Sequence, residues 1–216
     1  MKVNLSAVLA LLHQGSFGTL TTHSTQLPGY PFGSLAPYAL DEAHRPLFLI
    51  SGLAEHTRNL QADARSSLLV AESGSKNVLA GSRLTLLGDA APCEPEEALV
   101  ERYLRYHPEG RRYLDLGDFR FYRLSPRRAR FVAGFGEMGW IEEADWQAVS
   151  TLPLADEKAL HHELGALLPA GTRLLGLDAY GIDLERNSER ERLGFSSMPT
   201  SIQQLESSAR RVLAAL

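Results

Sequence analysis

The segment GFGEMG, Gly134 to Gly139, matches G-x-G-x-x-G, the glycine fingerprint of dinucleotide-binding folds. A dinucleotide unit needs a strand before the glycines, a helix opening inside them, and a hydrophobic parallel strand ending in an acid about 20 residues further on. ARFVAGF (129–135) supplies the first condition, and WIEEADWQAV (140–149) is compatible with the second. The third fails, because STLPLADEKAL (150–160) is polar and broken by proline. The glycines therefore read as a strand bend or bulge where backbones or a ligand approach closely.

Working outward, the upstream chain gives short strands without βα alternation. SFGTLTTH (16–23), FGSLAPYAL (32–40), PLFLIS (46–51), SSLLVAE (67–73), SRLTLLGDAA (82–91), DFRFYRLS (118–125) and ARFVAGF are rich in β-formers or alternate in polarity. Turn residues bound most of them. Helical patterns interrupt only briefly, at 1–15, 52–64 and 94–108, the last with Pro95 and acids at its start. Seven strands of this kind fit an antiparallel barrel or sandwich. Beyond residue 150 the character shifts to a helix (155–169), two or three strands (172–195) and a final helix (200–216). Thr200 and Gln203 have capping-box spacing at the start of that helix. The chain thus reads as α+β: a β-rich domain, 1–150, then a small α+β domain, 151–216.

Composition bounds the function. The chain has 216 residues, 44% of them hydrophobic, and a net charge of −4. An acidic balance argues against a dedicated nucleic-acid binder, which needs a basic excess. Cys93 is the single cysteine, so no intrachain disulfide and no cysteine cluster for zinc can form. No run approaches the roughly 18 apolar residues of a membrane span. The opening MKVNLSAVLALLHQG lacks a small-residue cleavage site and reads as a first helix, not a leader. The expectation is a soluble, cytoplasmic protein with neither nucleic acid nor membrane as partner. His161-His162-Glu163 lacks the second histidine of a zinc-protease motif, and no serine-hydrolase elbow occurs. An enzyme built on this chain would need a cofactor for its chemistry.

The most informative stretch is YPFGSLAPYALDEAHRPLFLISGLAEHTRNLQAD, residues 30–63. A strand ending in Ser51, then a polar helix with His56, Thr57, Arg58 and Asn59, would gather hydroxyls, a guanidinium and helix N–H groups at one end. Two readings stand at this point: a phosphate cradle, or a helix whose polar side chains face water.

The succession YPFGSLAPY, LFLISGLAEHTRNL, RLTLLGDA and RFVAGFGEMGWI resembles the FMN-binding split-barrel proteins related to pyridoxamine 5′-phosphate oxidase. Within them it is closest to the haem-utilisation branch, which carries a small C-terminal α+β domain. The resemblance covers nearly the whole chain. It implies a homodimer of antiparallel split β-barrels with FMN in an interfacial groove, acting as an oxidoreductase on a small molecule. Ser51, Thr57, Arg58 and Asn59, with His56, would surround the phosphate. Pro31, Phe32, Gly33 and Ser34 would lie along the isoalloxazine, with Arg83 at its pyrimidine edge and Trp140 completing the set. Haem is the alternative cofactor, for a haem-binding or haem-degrading protein; a non-catalytic flavin module is a third reading. Two departures stand out. The C-terminus lacks the substrate motif of the B6 oxidases. No histidine follows His162, so the C-terminal iron ligand of haem-degrading relatives has no counterpart.

Overall fold

A computed structural model of the chain describes residues 3–74, 79–133 and 137–216. In chain order the elements are α1 (Leu5–Gln14), β1 (Phe17–His23), β2 (Pro31–Pro37), β3 (Ala39–Leu40), β4 (Pro46–Ser51), α2 (Glu55–Ala62), β5 (Arg65–Ala71) and β6 (Ser82–Pro92). Next come α3 (Glu97–Tyr106), α4 (Gly110–Asp115), β7 (Phe119–Ala133), β8 (Glu137–Glu142) and α5 (Glu143–Gln147). The chain closes with α6 (Leu154–Gly165), β9 (Thr172–Asp178), β10 (Gly181–Arg186), β11 (Glu189–Gly194) and α7 (Ile202–Leu213).

The first sheet is antiparallel, in the order β2-β1-β5-β6-β7-β4-β3, with β8 also paired to β7. It curls around a core in which Leu20, Phe48, Leu68, Leu84, Leu86 and Leu124 are fully buried. Helix α1 lays Val8, Leu9 and Leu12 into that core, and the Asn4 side chain caps it by accepting from Ser6 N at 3.1 Å. Strand β4 is apolar throughout because both of its faces are covered: Phe48 and Ile50 face the barrel interior, while Leu47 and Leu49 pack with Leu99, Tyr103 and Tyr106 of α3.

Three local readings are corrected. The runs 118–125 and 129–135 join through Pro126 as the single strand β7. Its register shifts opposite Leu87 and Gly88, so Arg127 is the extra residue of a β-bulge. A Cβ on Gly88 would lie 2.1 Å from Ser125 O, so the bulge demands glycine there. Trp140 and Ile141 belong to strand β8, which returns antiparallel along β7, instead of opening a helix. A strand–strand return is incompatible with the dinucleotide unit, although Gly134 and Gly136 themselves lie outside the described residues. Ser201, not Thr200, caps α7, accepting from Gln204 N at 3.2 Å, while Gln204 Oε1 accepts from Thr200. Helix α4 had no counterpart in the sequence reading.

The second sheet, β11-β10-β9, packs with α6 and α7 around Leu160, Leu164, Leu184 and Leu205. Charge ties it to the barrel. Glu157 of α6 accepts from Arg102 Nη1 of α3 at 2.8 Å, with both side chains about 97% buried or more. Asp183 of β10 accepts from Tyr106 OH, from Arg192 Nη1 at 2.7 Å and from His13 Nδ1 at 2.7 Å.

Candidate functional site

The corner between β4 and α2 is built as the sequence suggests, but its polar groups are spent on one another. Ser51 Oγ donates to Asp118 Oδ2 at 2.5 Å and accepts from Leu53 N. Thr57 is buried and donates to Ser51 O at 2.6 Å. Arg58 is largely exposed; it donates to Leu53 O and lies 3.6 Å from Glu55. Asn59, with no exposure at all, accepts from Thr25 N at 2.9 Å and donates to Thr22 Oγ1 at 3.0 Å, which fastens α2 to β1 and the turn after it. A phosphate at this corner would meet the Asp118 and Glu55 carboxylates on the hydroxyl and guanidinium meant to receive it.

Strand β2 divides its predicted residues by alternation. Phe32 and Ser34 are half-buried, while Pro31 and Gly33 are exposed on the outer face. Ser34 Oγ is 3.0 Å from His56 Nδ1, leaving His56 Nε2 buried without a partner. Burial pushes the His56 imidazole below its ordinary value.

Arg83 and Trp140 are elsewhere, on the outer face of the sheet. Pairing runs Leu35–Thr19–Leu69–Thr85–Arg130–Trp140 across five strand boundaries. Arg83 is two residues along β6 from Thr85, on the same face, and donates to Leu79 O and Gly81 O. The Trp140 ring lies within cation–π reach of Arg128, 4.1 Å from its centroid, and Arg130, at 5.3 Å. Leu35, Leu69, Leu87, Met138 and Trp140 are all at least 40% exposed on this one face. Such a surface is unusual on a lone barrel.

Beside these apolar residues an open cleft of about 520 Å³ is lined by Thr21, His23, Pro31, Arg65, Ser67, Leu87, Asp89 and Arg127, among others. Arg65 Nε donates to Asp63 at 2.9 Å; this hydrogen bond and charge hold the Asp63 carboxyl well below the usual carboxylate range. Arg127 Nε donates to Asp89 at 3.0 Å. Of the lining residues the sequence pointed to Pro31, and to Arg127 as part of an arginine cluster, Arg127-Arg128-Arg130, that could meet an anion. His23 was legible in retrospect: TLTTH alternates, which places Thr19, Thr21 and His23 together on the outer face. What the sequence did not give was how Arg127 is presented, because the bulge that exposes it depends on the β6 partner.

The profile of the family described as "CREG, beta-barrel" matches residues 5–148. The chain belongs to the CREG β-barrel family. The antiparallel split barrel implied by the resemblance is thereby the fold of this chain. Within reach of this CREG-type barrel are two curated relatives. The chain is 31% identical over 200 residues to the non-canonical heme oxygenase HOZ, chloroplastic, of Arabidopsis thaliana, covering 82% of this chain and 61% of that protein. It is 30% identical over 128 residues to the heme oxygenase HutZ of Vibrio cholerae, covering 55% of this chain and 71% of that one. This chain therefore spans about three fifths of the chloroplast protein's length. Among solved structures, Atu2129 of Agrobacterium tumefaciens, of unknown function, superimposes with a TM-score of 0.73 at 26% identity over 98% of this chain and 94% of its own. No helix among the described residues is long and apolar enough to cross a membrane.

Proposed function

We propose that this CREG-type barrel is a haem-binding protein of the haem-utilisation branch, holding haem on the outer face of the sheet. The observation that carries this reading is the 31% identity, across 200 residues, to a protein named as a heme oxygenase. The donor set of the cleft fits the group. His23 is an exposed imidazole for iron, Leu87 offers apolar contact to a porphyrin, and Arg65 and Arg127 are cations for its carboxylates. Haem would supply iron chemistry on oxygen; the chain would bind it, orient it and exclude water from one side. FMN is the weaker reading, since its phosphate would face Asp118 and Glu55 at the β4–α2 corner. We also propose a homodimer that covers the face carrying Leu35, Leu69 and Trp140, closing the cleft from the other side. A permanent interface of this kind typically buries upward of ~2,000 Å² and is apolar at its centre.

Haemin titration of the purified protein tests the first proposal. A saturable Soret band is expected, with affinity at least about tenfold weaker in His23→Ala, equivalent to ~1.4 kcal/mol. FMN should give no comparable change in its own spectrum. Absence of a saturable Soret band overturns haem binding, and a band indifferent to His23→Ala removes His23 from it. Loss of the band on adding a reductant in air, with release of iron, would extend the reading to haem degradation. For the dimer, light scattering should give about twice the chain mass, and Leu69→Arg should halve it.

A further inference from the structure

Away from the cleft and the β4–α2 corner, three side chains from distant parts of the chain meet in the interior. His13 ends α1, His44 sits in the turn between β3 and β4, and Asp178 ends β9; their relative exposures are 3%, 1% and 4%. One ligand atom from each lies within 4.8 Å of the other two. His13 Nε2 is 3.0 Å from His44 Nδ1 and 3.1 Å from Asp178 Oδ2.

The hydrogen bonds on the far side of each ring determine what faces this point. His13 Nδ1 is 2.7 Å from the Asp183 carboxylate, which can only accept, so Nδ1 carries a proton. His44 Nε2 is 3.3 Å from Ser150 O, a carbonyl, so Nε2 carries a proton as well. A neutral imidazole that donates through one nitrogen presents a lone pair on the other. With both imidazoles neutral, His13 Nε2, His44 Nδ1 and Asp178 Oδ2 converge as three electron pairs, Asp178 Oδ2 also accepting from Arg192 Nη2 at 2.9 Å. Arg192 offsets the Asp178 charge from one side, and a metal ion or a proton at the centre relieves the remaining convergence of lone pairs.

The setting has the further marks of a metal site. A carboxylate and a backbone carbonyl fixing the outer nitrogens of two histidines is the usual outer shell of metal-ligating imidazoles. Asp178 is held rigidly, accepting from Tyr180 N at 2.7 Å and from Arg192 Nη2 at 2.8 Å. With metal–ligand bonds of about 2.0–2.1 Å, tetrahedral donors stand about 3.3 Å apart, close to the separations here. His44 also has φ +57°, in the left-handed region that glycine favours. A buried non-glycine residue held in that conformation points to a role for its side chain.

We propose that His13, His44 and Asp178 bind one divalent transition-metal ion, with Zn²⁺ the best match, in a buried three-ligand site that joins α1, the β3–β4 turn and the β9–β10 hairpin. Two imidazoles, a carboxylate and a fourth position for water form a donor set suited to zinc. This proposal does not depend on haem and shares no residue with the cleft. The competing occupant is a proton on His13 Nε2, which would turn the same geometry into a salt bridge with Asp178 and Asp183.

Zinc alone is the probe. Protein stripped with chelator should take up one Zn²⁺ per chain in a saturable titration, and Co²⁺ in its place should give the visible d–d bands of a four-coordinate site. His44→Gly removes a ligand but suits the left-handed backbone, so it should fold in chelator, with a lower Tm for the buried ring it loses, while binding Zn²⁺ at least 100-fold more weakly. If the lost ring leaves a destabilising void, His44→Asn, which also tolerates this conformation, serves instead. Wild type should melt several degrees higher with Zn²⁺ than without; His44→Gly should show no such gain. Absence of saturable one-to-one binding overturns the proposal in favour of the proton. So does zinc binding that both His44 variants leave intact.

Discussion

Replacing Glu157 by glutamine tests how the second sheet is fastened to the barrel. Glu157 is 98% buried, and its Oε1 accepts from Arg102 Nη1 at 2.8 Å and Arg105 Nη2 at 2.5 Å. Arg102 is itself only 3% exposed, so in Glu157→Gln a guanidinium would stay in the interior without its counter-charge. Breaking one side of a buried pair costs about 3–5 kcal/mol. The lower end applies here, because glutamine still accepts one N–H and Arg102 keeps its bonds to Leu40 O and Leu177 O. A loss of about 3 kcal/mol in a chain of this size lowers Tm by about 6–12 °C, at roughly 2–4 °C per kcal/mol. The control is Glu101→Gln, which breaks the Lys158–Glu101 pair between the same two helices, with side chains 55% and 41% exposed. An exposed pair of that kind is worth at most ~1 kcal/mol. Melting followed by circular dichroism reads both. Equal shifts for the two variants, or a Glu157→Gln melt within about 2 °C of wild type, would refute the buried latch.

Asn59→Ala should cost about 1–3 kcal/mol in chemical denaturation, because Thr25 N and Thr22 Oγ1 lose their partner, while leaving haemin affinity unchanged. Gly88→Ala should destabilise by at least ~3 kcal/mol, measured the same way, since the new methyl would collide with the Ser125 carbonyl at the bulge. His56, His107 and His161 are all held below the ordinary imidazole value, chiefly by burial. The unfolded chain therefore takes up their protons first, so stability should fall as pH drops from about 6.5 through the lowered folded values. Urea denaturation in chelator at pH 7.5 and 5.5 checks the sign, and equal midpoints would contradict it.

Local pattern carried most of the fold. PLFLIS was bounded to the residue because an apolar run flanked by Pro46 and Gly52 has few other outcomes. The errors fell where a distant partner decides. Pro126 reads as a turn in isolation, but β6 keeps the chain extended through it and expels Arg127 as a bulge. Trp140 and Ile141 could open a helix by propensity; pairing with β7 makes them strand. The His13–His44–Asp178 cluster had no signature at all, since its members are separated by 31 and 134 residues and only the packing of both sheets unites them.

The site residues divide for an energetic reason. At the β4–α2 corner, the carboxylates that oppose an anionic ligand are partly sheltered: the Glu55 side chain is 20% exposed, and Asp118 holds Ser51 at 2.5 Å. Displacing the Ser51–Asp118 contact forfeits a charge-assisted hydrogen bond worth about 1.5–3 kcal/mol. In the cleft, Arg65 and Arg127 also have acidic partners, yet their side chains are 72% and 61% exposed. Exposed pairs contribute about 0–1 kcal/mol, so a ligand carboxylate can replace Asp89 on Arg127 at little cost, whereas Asp63, 27% exposed and hydrogen-bonded to Arg65 through both oxygens, is held more firmly. Where the family resemblance would place a phosphate, Asp118 and Glu55 already engage Ser51 and Arg58, while Arg127 in the cleft stands beside an imidazole and an apolar residue. A purely anionic ligand would gain little from that exchange. On the proposed haem reading, the apolar plane, the peripheral carboxylates and the iron would meet Leu87, Arg127 and His23 in turn.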